Sequence, residues 1–231
     1  MEEKPLDPLR RGAANKKDEV YEQLVARLLR AEWAFGERIG VKELAQEMGV
    51  SRQPIMTALN RLDSDGFVRI VPQVGCQVVD PGRPAIADFF LMFQRFEGLL
   101  AELAASRRSE AEVRELRQLQ ERFAGLEAEP DGDSGRYVAL NRAFHGLIAH
   151  MARSPMLAER QRANFDMCDF FITHSAGFGR LMGGSAQEHD TIIDAIARRA
   201  PDRARAVAEV HIGSVAHMVL TALDGRDAVA A

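Results

Sequence analysis

Four side chains in the second half of this 231-residue chain have the chemistry to meet at a metal ion: Asn141, His145, His189 and His211. Asn141 and His145 are four residues apart, so on a helix they project from the same side. His189 lies near the start of a second helical pattern and His211 midway along a third. Inward-facing helices of a bundle can converge such groups on one ion, and neutral imidazole suits zinc, nickel and similar borderline metals. Spacing alone leaves a second reading open, in which each histidine is a hydrogen-bonded core residue. His150, His174 and His217 suggest no comparable role. Glu188 and Asp190 flank His189 and should project away from it, which leaves no general base for a His-cluster hydrolase. That metalloenzyme remains the remote alternative, tested by turnover in a zinc-loaded sample.

The elements that must position these groups are helices. Residues 80–84, Asp-Pro-Gly-Arg-Pro, stop regular structure and mark a domain boundary. Beyond them the apolar spacing predicts six helices, over about 85–107, 109–127, 136–153, 157–174, 185–199 and 201–223, with loops at 130–135 and 177–184. Ser109 and Glu112 form a capping-box pair at the start of the second. About 145 residues of helix make one bundle domain.

Residues 41–80 read differently, as helix, tight turn, helix and a two-stranded hairpin. Leu44, Ala45 and Met48 share one face, and Gly49 ends that helix in a conformation glycine adopts readily. Ser51 is an N-cap candidate and Pro54 is tolerated in the first turn. Ile55, Leu59 and Leu62 repeat as a buried stripe, and Asp65-Gly66 closes the second helix. The runs 68–71 and 76–79 are β-prone, with 72–75 as the turn. A second helix held this way can enter the DNA major groove. Its outward side carries Ser51, Arg52, Gln53, Thr57, Asn60 and Arg61, suited to base edges and phosphates. The hairpin is then a wing, with Gln73 and Gly75 at the backbone-facing tip. A helix over 18–32 precedes this unit, and residues 1–17, with Pro5, Pro8 and Gly12, read as a mobile arm.

Composition limits the rest. A net charge of −4 is low for a DNA binder. Residues 1–80 carry 12 Lys and Arg against 13 Asp and Glu, so binding must rest on local placement of Lys42, Arg52, Arg61 and Arg69, doubled in a dimer. Two cysteines, Cys76 and Cys168, are too few for a disulfide framework. A charged N-terminus is unlike a secretory signal, and no apolar run approaches the roughly 20 residues of a membrane span. These point to a cytoplasmic protein with no membrane partner.

Residues 41–80 resemble the winged helix-turn-helix of the GntR family of bacterial transcription regulators. The resemblance is carried by Glu43-Leu44-Ala45, Gly49-Val50-Ser51-Arg52, Pro54-Ile55, Ala58-Leu59, Arg61-Leu62, Asp65-Gly66-Phe67-Val68 and Gly75. It implies DNA contacts at Lys42, Arg52 and Gly75. Met56 and Thr57 stand where the family usually has Arg and Glu, so the operator is expected to differ from the common family site. In the second half, Asn141-x-x-Phe144-His145, Glu188-His189-x-x-Ile192-x-x-Ala195-Ile196 and His211-Ile212 resemble the FCD effector domain of the family's FadR branch. The six-helix count resembles its shorter, VanR-type form.

That resemblance implies a divalent metal, zinc or alternatively nickel, held through an Asp and three His; the roles fall on Asn141, His145, His189 and His211. Asn141 in place of Asp leaves the +2 charge of the ion uncompensated. Either metal affinity falls, or an anionic effector supplies the missing charge. Phe93 stands where relatives often carry an Arg that clamps a carboxylate. Arg95 and Arg142 remain as candidate anion partners, each more readily explained as a surface or ion-pair residue.

The expected protein is therefore mostly α, with a mobile arm (1–17), a winged helix-turn-helix (18–80) and an all-helical, FCD-like effector and dimerisation domain (81–231). It acts as a metabolite-responsive repressor: a homodimer on a near-palindromic double-stranded operator, released by a small carboxylate bound at or near the metal. The alternative keeps the regulator without the metal, binding an acyl or aromatic ligand in an apolar pocket.

Overall fold

The structure, a computed structural model, describes residues 16–127, 134–178 and 184–230. The chain divides into two compact units, Met1–Asp80 and Pro81–Ala231.

In the first unit, α1 (Lys16–Leu28), α2 (Val41–Glu47) and α3 (Arg52–Ser64) surround a small sheet of β1 (Arg38–Ile39), β2 (Val68–Val71) and β3 (Gly75–Val78). Each helix turns one apolar stripe inward: Val20, Leu24 and Leu28 from α1, Leu44 and Ala45 from α2, Ile55, Ala58, Leu59 and Leu62 from α3. Gly49 and Gly66 end α2 and α3 with φ of 63° and 86°, the left-handed conformation expected of glycine there. Ser51 sits at the N-cap of α3 in extended conformation, but its side chain makes no cap hydrogen bond.

The wing is a three-stranded antiparallel sheet, order β1-β3-β2, rather than a two-stranded hairpin. The added strand is only two residues long, too short to show alternation. Its pairing comes from the turn before it: Gly36, at φ 73°, donates its N–H to the Val78 carbonyl at 3.1 Å, and Glu37 accepts from Val78 N–H at 2.9 Å. The first helix begins at Lys16, so the last two residues of the expected arm are helical. The rest of that arm lies outside the described residues.

In the second unit six helices are described: α4 (Arg83–Arg107), α5 (Glu110–Glu127), α6 (Ser134–Met151), α7 (Pro155–Ser175), α8 (Ser185–Ala197) and α9 (Pro201–Ala230). The core joins Leu100, Ala101 and Ala104 of α4, Val113 and Leu116 of α5, Phe144 and Ile148 of α6, Ile192 and Ile196 of α8, and Ala204 and Ala208 of α9. α4 and α9 approach closely because Gly98 and Gly213 lie between them. A Cβ on Gly98 would stand 2.7 Å from Glu209 Cγ, and one on Gly213 would stand 2.9 Å from Gln94 Nε2. The expected capping box forms: Glu112 accepts from Ser109 N–H at 2.8 Å and from its hydroxyl at 2.7 Å, and Ser109 Oγ accepts Glu112 N–H at 3.3 Å. Most of the loops expected at 130–135 and 177–184 lie outside the described residues.

Within α9, Pro201–Gly225 meets a length-and-composition criterion for a membrane-crossing helix, one that a core helix also meets, although Asp202, Arg203, Arg205, Glu209 and Asp224 leave no unbroken apolar run of that length. Alanine and valine raise its hydropathy without forming an obvious apolar block, and the same helix carries His211 and the α4-facing residues.

Candidate metal centre and nucleic-acid interface

His145, His189 and His211 come together inside the helical unit. They arrive from α6, α8 and α9, all three are buried, and one ligand atom of each lies within 4.8 Å of the others. Nitrogens around a tetrahedral zinc with bonds of about 2.1 Å stand about 3.4 Å apart, so the cluster needs only to draw in. The helices place the rings by packing: His189 stacks on Phe144 with centroids 4.0 Å apart and planes at 11°, and His145 stacks on His211 at 5.3 Å and 20°.

The hydrogen bonding separates this cluster from ordinary core histidines. His145 Nδ1 lies 2.9 Å from Glu97 Oε2, and His211 Nδ1 lies 2.7 Å from Glu188 Oε2. By contrast, His145 Nε2 and both ring nitrogens of His189 are buried with no hydrogen-bond partner among the described residues. Buried polar atoms are rarely left so. Burial, then the neighbouring histidines, holds His189 well below the usual imidazole range. Burial also lowers His211, which its bond to Glu188 only partly offsets. A divalent ion requires unprotonated imidazole nitrogens, and three histidines are a donor set that fits zinc or nickel. Asn141 is half-buried and lines a cavity of about 20 Å³ with His145, His211, Asp169 and Ser185. That is room for about one water as the cavity stands. A larger open groove of about 830 Å³ runs between α5 and α8, lined by mixed charges such as Arg117, Glu121, Asp194 and Arg198. It includes none of the three histidines.

Glu188 projects away from His189 but meets another histidine of the same cluster. It precedes His189, but a carboxylate at the first turn of α8 reaches across to α9, where it meets His211 Nδ1 and accepts the Ser214 hydroxyl at 2.7 Å. It therefore stands behind His211 rather than beside the open side of the cluster. Glu97 was missed as a site residue. The signal was present: Phe90, Phe93, Glu97, Leu100 and Ala104 share one buried stripe of α4, and a carboxylate on such a stripe needs a reason.

The three residues considered for an effector are placed as follows. Arg95 is exposed on α4 and paired with Glu209 of α9. Arg142 donates from Nε to Asp169 and from Nη1 to Asp166, each at 2.6 Å. Phe93 is fully buried, edge-on to Phe165 at 5.2 Å, and Phe165 in turn meets His145 at 4.8 Å. Burial pushes the Asp169 carboxyl up to about 6 in spite of Arg142.

In the first unit, the side of α3 opposite its apolar stripe exposes Gln53, Thr57 and Asn60, with Ser51 and Arg52 at its start. The Thr57 hydroxyl donates to the Gln53 carbonyl at 3.0 Å. Lys42 is exposed near the start of α2. Arg61 lies at the flank, its guanidinium 3.6 Å from the Tyr21 ring centroid and close to Asp18 and Asp65. At the wing tip Gln73 and Gly75 are exposed with φ of 64° and 110°.

Comparison with known proteins agrees with both halves. Residues 16–78 match the model for bacterial regulatory proteins of the gntR family, and residues 88–214 match the FCD domain. An HTH-type transcriptional regulator in an unstable DNA locus of Streptomyces ambofaciens is 34% identical over 139 residues, covering 58% of this chain and 55% of that protein. The chain thus spans about half the length of that relative. The Nta operon transcriptional regulator of Aminobacter aminovorans is 26% identical over 194 residues, covering 82% of this chain and 88% of its own. The solved structure of Escherichia coli McbR/YncC superposes with a TM-score of 0.74 at 18% identity, covering 90% of this chain and 99% of the other, and so shares the fold. These relatives are transcriptional regulators rather than enzymes. With a winged helix-turn-helix followed by a matched FCD domain, the chain belongs to the GntR family of bacterial DNA-binding transcriptional regulators, in its FadR-type, FCD-containing branch.

Proposed function

We propose that the protein is a metal-dependent, metabolite-responsive repressor. A homodimer occupies a near-palindromic operator in the cytoplasm. Lys42, Ser51, Arg52, Gln53, Thr57 and Asn60 meet bases and phosphates, Gln73 and Gly75 approach the backbone from the wing, and Arg61 supports the recognition helix from its flank. In the helical unit, His145, His189 and His211 hold zinc, or nickel in its place, with the Asn141 amide oxygen as a neutral fourth donor. The bound metal supplies a Lewis-acidic positive charge for a small carboxylate. Arg142 is already committed to two aspartates and Arg95 to Glu209, so neither competes with the metal for that anion. Effector binding and DNA binding are then reciprocally coupled, with effector releasing the operator.

The observation that carries this reading is the set of inward ring nitrogens without partners in a buried three-histidine cluster. Protein purified without chelating resin is expected to contain about one metal per chain. Small organic acids are expected to raise its melting temperature only while the metal is present, and to weaken its gel shift on a selected operator. Absence of metal, with stabilisation by acyl or aromatic compounds alone, would favour an apolar effector pocket. The aromatic wall formed by Phe165, Phe178 and the nearby Phe93 supports that second reading.

A further inference from the structure

The loss of a ligand carboxylate at Asn141 raises a charge problem that the structure answers elsewhere. Glu97 is buried, with 3% of its side chain exposed, and among the described residues its ion-pair partner is His145 alone. Its Oε1 has no hydrogen-bond partner, and Gln161 Nε2 is a distant 3.5 Å from Oε2. A carboxylate held this deep without a cation is costly. The cost is offset when a positive ion sits on the far side of the imidazole it touches. Glu188 repeats the arrangement on His211, with Ser214 anchoring its second oxygen, though a third of its side chain is exposed.

We propose that Glu97 and Glu188 are the counter-charges of the metal centre, acting through His145 and His211 in place of the ligand carboxylate that Asn141 lacks. Each accepts the Nδ1–H of its histidine, which fixes the ring with Nε2 facing the ion and raises that nitrogen's basicity. Two carboxylates against one divalent ion make the centre neutral. This rests on the metal reading above and goes further: Asn141 does not leave the ion uncompensated, so tight metal binding needs no anionic effector. Both glutamates are positioning residues, since neither touches the ion. Glu97 has the larger share because it is the more deeply buried.

The test is zinc affinity of the full-length protein, measured by competition with a chromophoric chelator, with thermal melting of each metal-free variant as a folding control. Glu97→Gln keeps the shape and an acceptor oxygen but removes the charge; it is expected to weaken zinc about 100-fold, and Glu188→Gln about tenfold. Asn141→Asp alone is expected to change affinity by less than about threefold, yet in the Glu97→Gln background it should recover at least about tenfold by returning the charge to the inner sphere. A merely structural Glu97 would not be rescued this way. If Glu97→Gln does not fold, the pair Glu188→Gln and Asn141→Asp/Glu188→Gln carries the same test. Zinc binding by the charge-neutral variants within about threefold of the parent, or no rescue by Asn141→Asp, overturns the proposal. No zinc binding by the parent protein removes the metal reading and this inference with it.

Discussion

The two units use polar side chains in opposite ways. On α3 the proposed DNA-contacting groups stand outside an apolar stripe: Gln53, Thr57 and Asn60 face solvent while Ile55, Ala58, Leu59 and Leu62 are buried behind them. These groups are open to solvent in the free protein, and none of them belongs to the buried stripe. At the histidine cluster the proposed metal-binding groups are inside the core, and three of their ring nitrogens have no partner among the described residues. A surface site costs stability little and is lost without unfolding. A buried site without its ligand is a standing cost, recovered when the ligand binds. The same kind of substitution should therefore move stability in different directions in the two units.

His189 gives the largest expected effect. Replacing it with Leu removes two unpartnered buried nitrogens and keeps an apolar body against Phe144 and Phe123. Zinc affinity is expected to fall by at least about 1000-fold, because three imidazoles become two. Metal-free stability in urea is expected to rise by about 1–3 kcal/mol. A metal-free His189→Leu protein less stable than the parent would break the comparison and make His189 an ordinary core residue.

Arg52→Ala and Gln53→Ala should behave in the contrary way. Each is expected to lower affinity for a selected operator by about 10–100-fold, the usual range for a base or charge contact. Stability should stay within about 0.5 kcal/mol of the parent. A gel shift at fixed salt, paired with a urea melt, separates the two quantities.

Arg61 sharpens the contrast within the first unit. Sequence spacing puts it with the outward polar groups, yet its guanidinium covers Tyr21 and faces Asp18 and Asp65. Arg61→Ala is expected to cost about 0.5–1 kcal/mol of stability through the lost cation–π contact. Its effect on operator affinity should be smaller than that of Arg52→Ala. The reverse order would show that Arg61 leaves Tyr21 to contact DNA.

The same contrast explains what could be read from the sequence. Helix starts and stops in both units follow from apolar spacing and local cap chemistry, as at Gly49, Gly66 and the Ser109–Glu112 box. These are interactions within a few residues. The three histidines were legible as candidates because each lies on a helix that must face inward. Their pairing with carboxylates was not, because Glu97–His145 spans 48 residues and Glu188–His211 spans 23; the apolar stripe of α4 marks Glu97 as buried but does not name its partner. β1 escaped for a related reason: two residues show no period, and only the Gly36 turn brings them beside β3.

Glu112 is the control for the buried site, since it is a carboxylate in the same unit with its bonds made. Burial would raise its pKa. The hydrogen bonds from Arg153 and Ser109, with the Arg153 charge, outweigh that and hold it at about 2. A carboxyl depressed from its ordinary 4.5 contributes stability that is full above about pH 4.5 and lost as pH falls toward 2. Glu112→Gln is therefore expected to destabilise the protein at neutral pH, the opposite sign to His189→Leu. The gap between parent and variant should close on acidification through that window. Urea midpoints taken from pH 6 down to 2.5 measure it. A gap that stays constant with pH would mean that Glu112 acts through the shape of the cap rather than its charge, and would remove the satisfied-carboxylate half of the contrast.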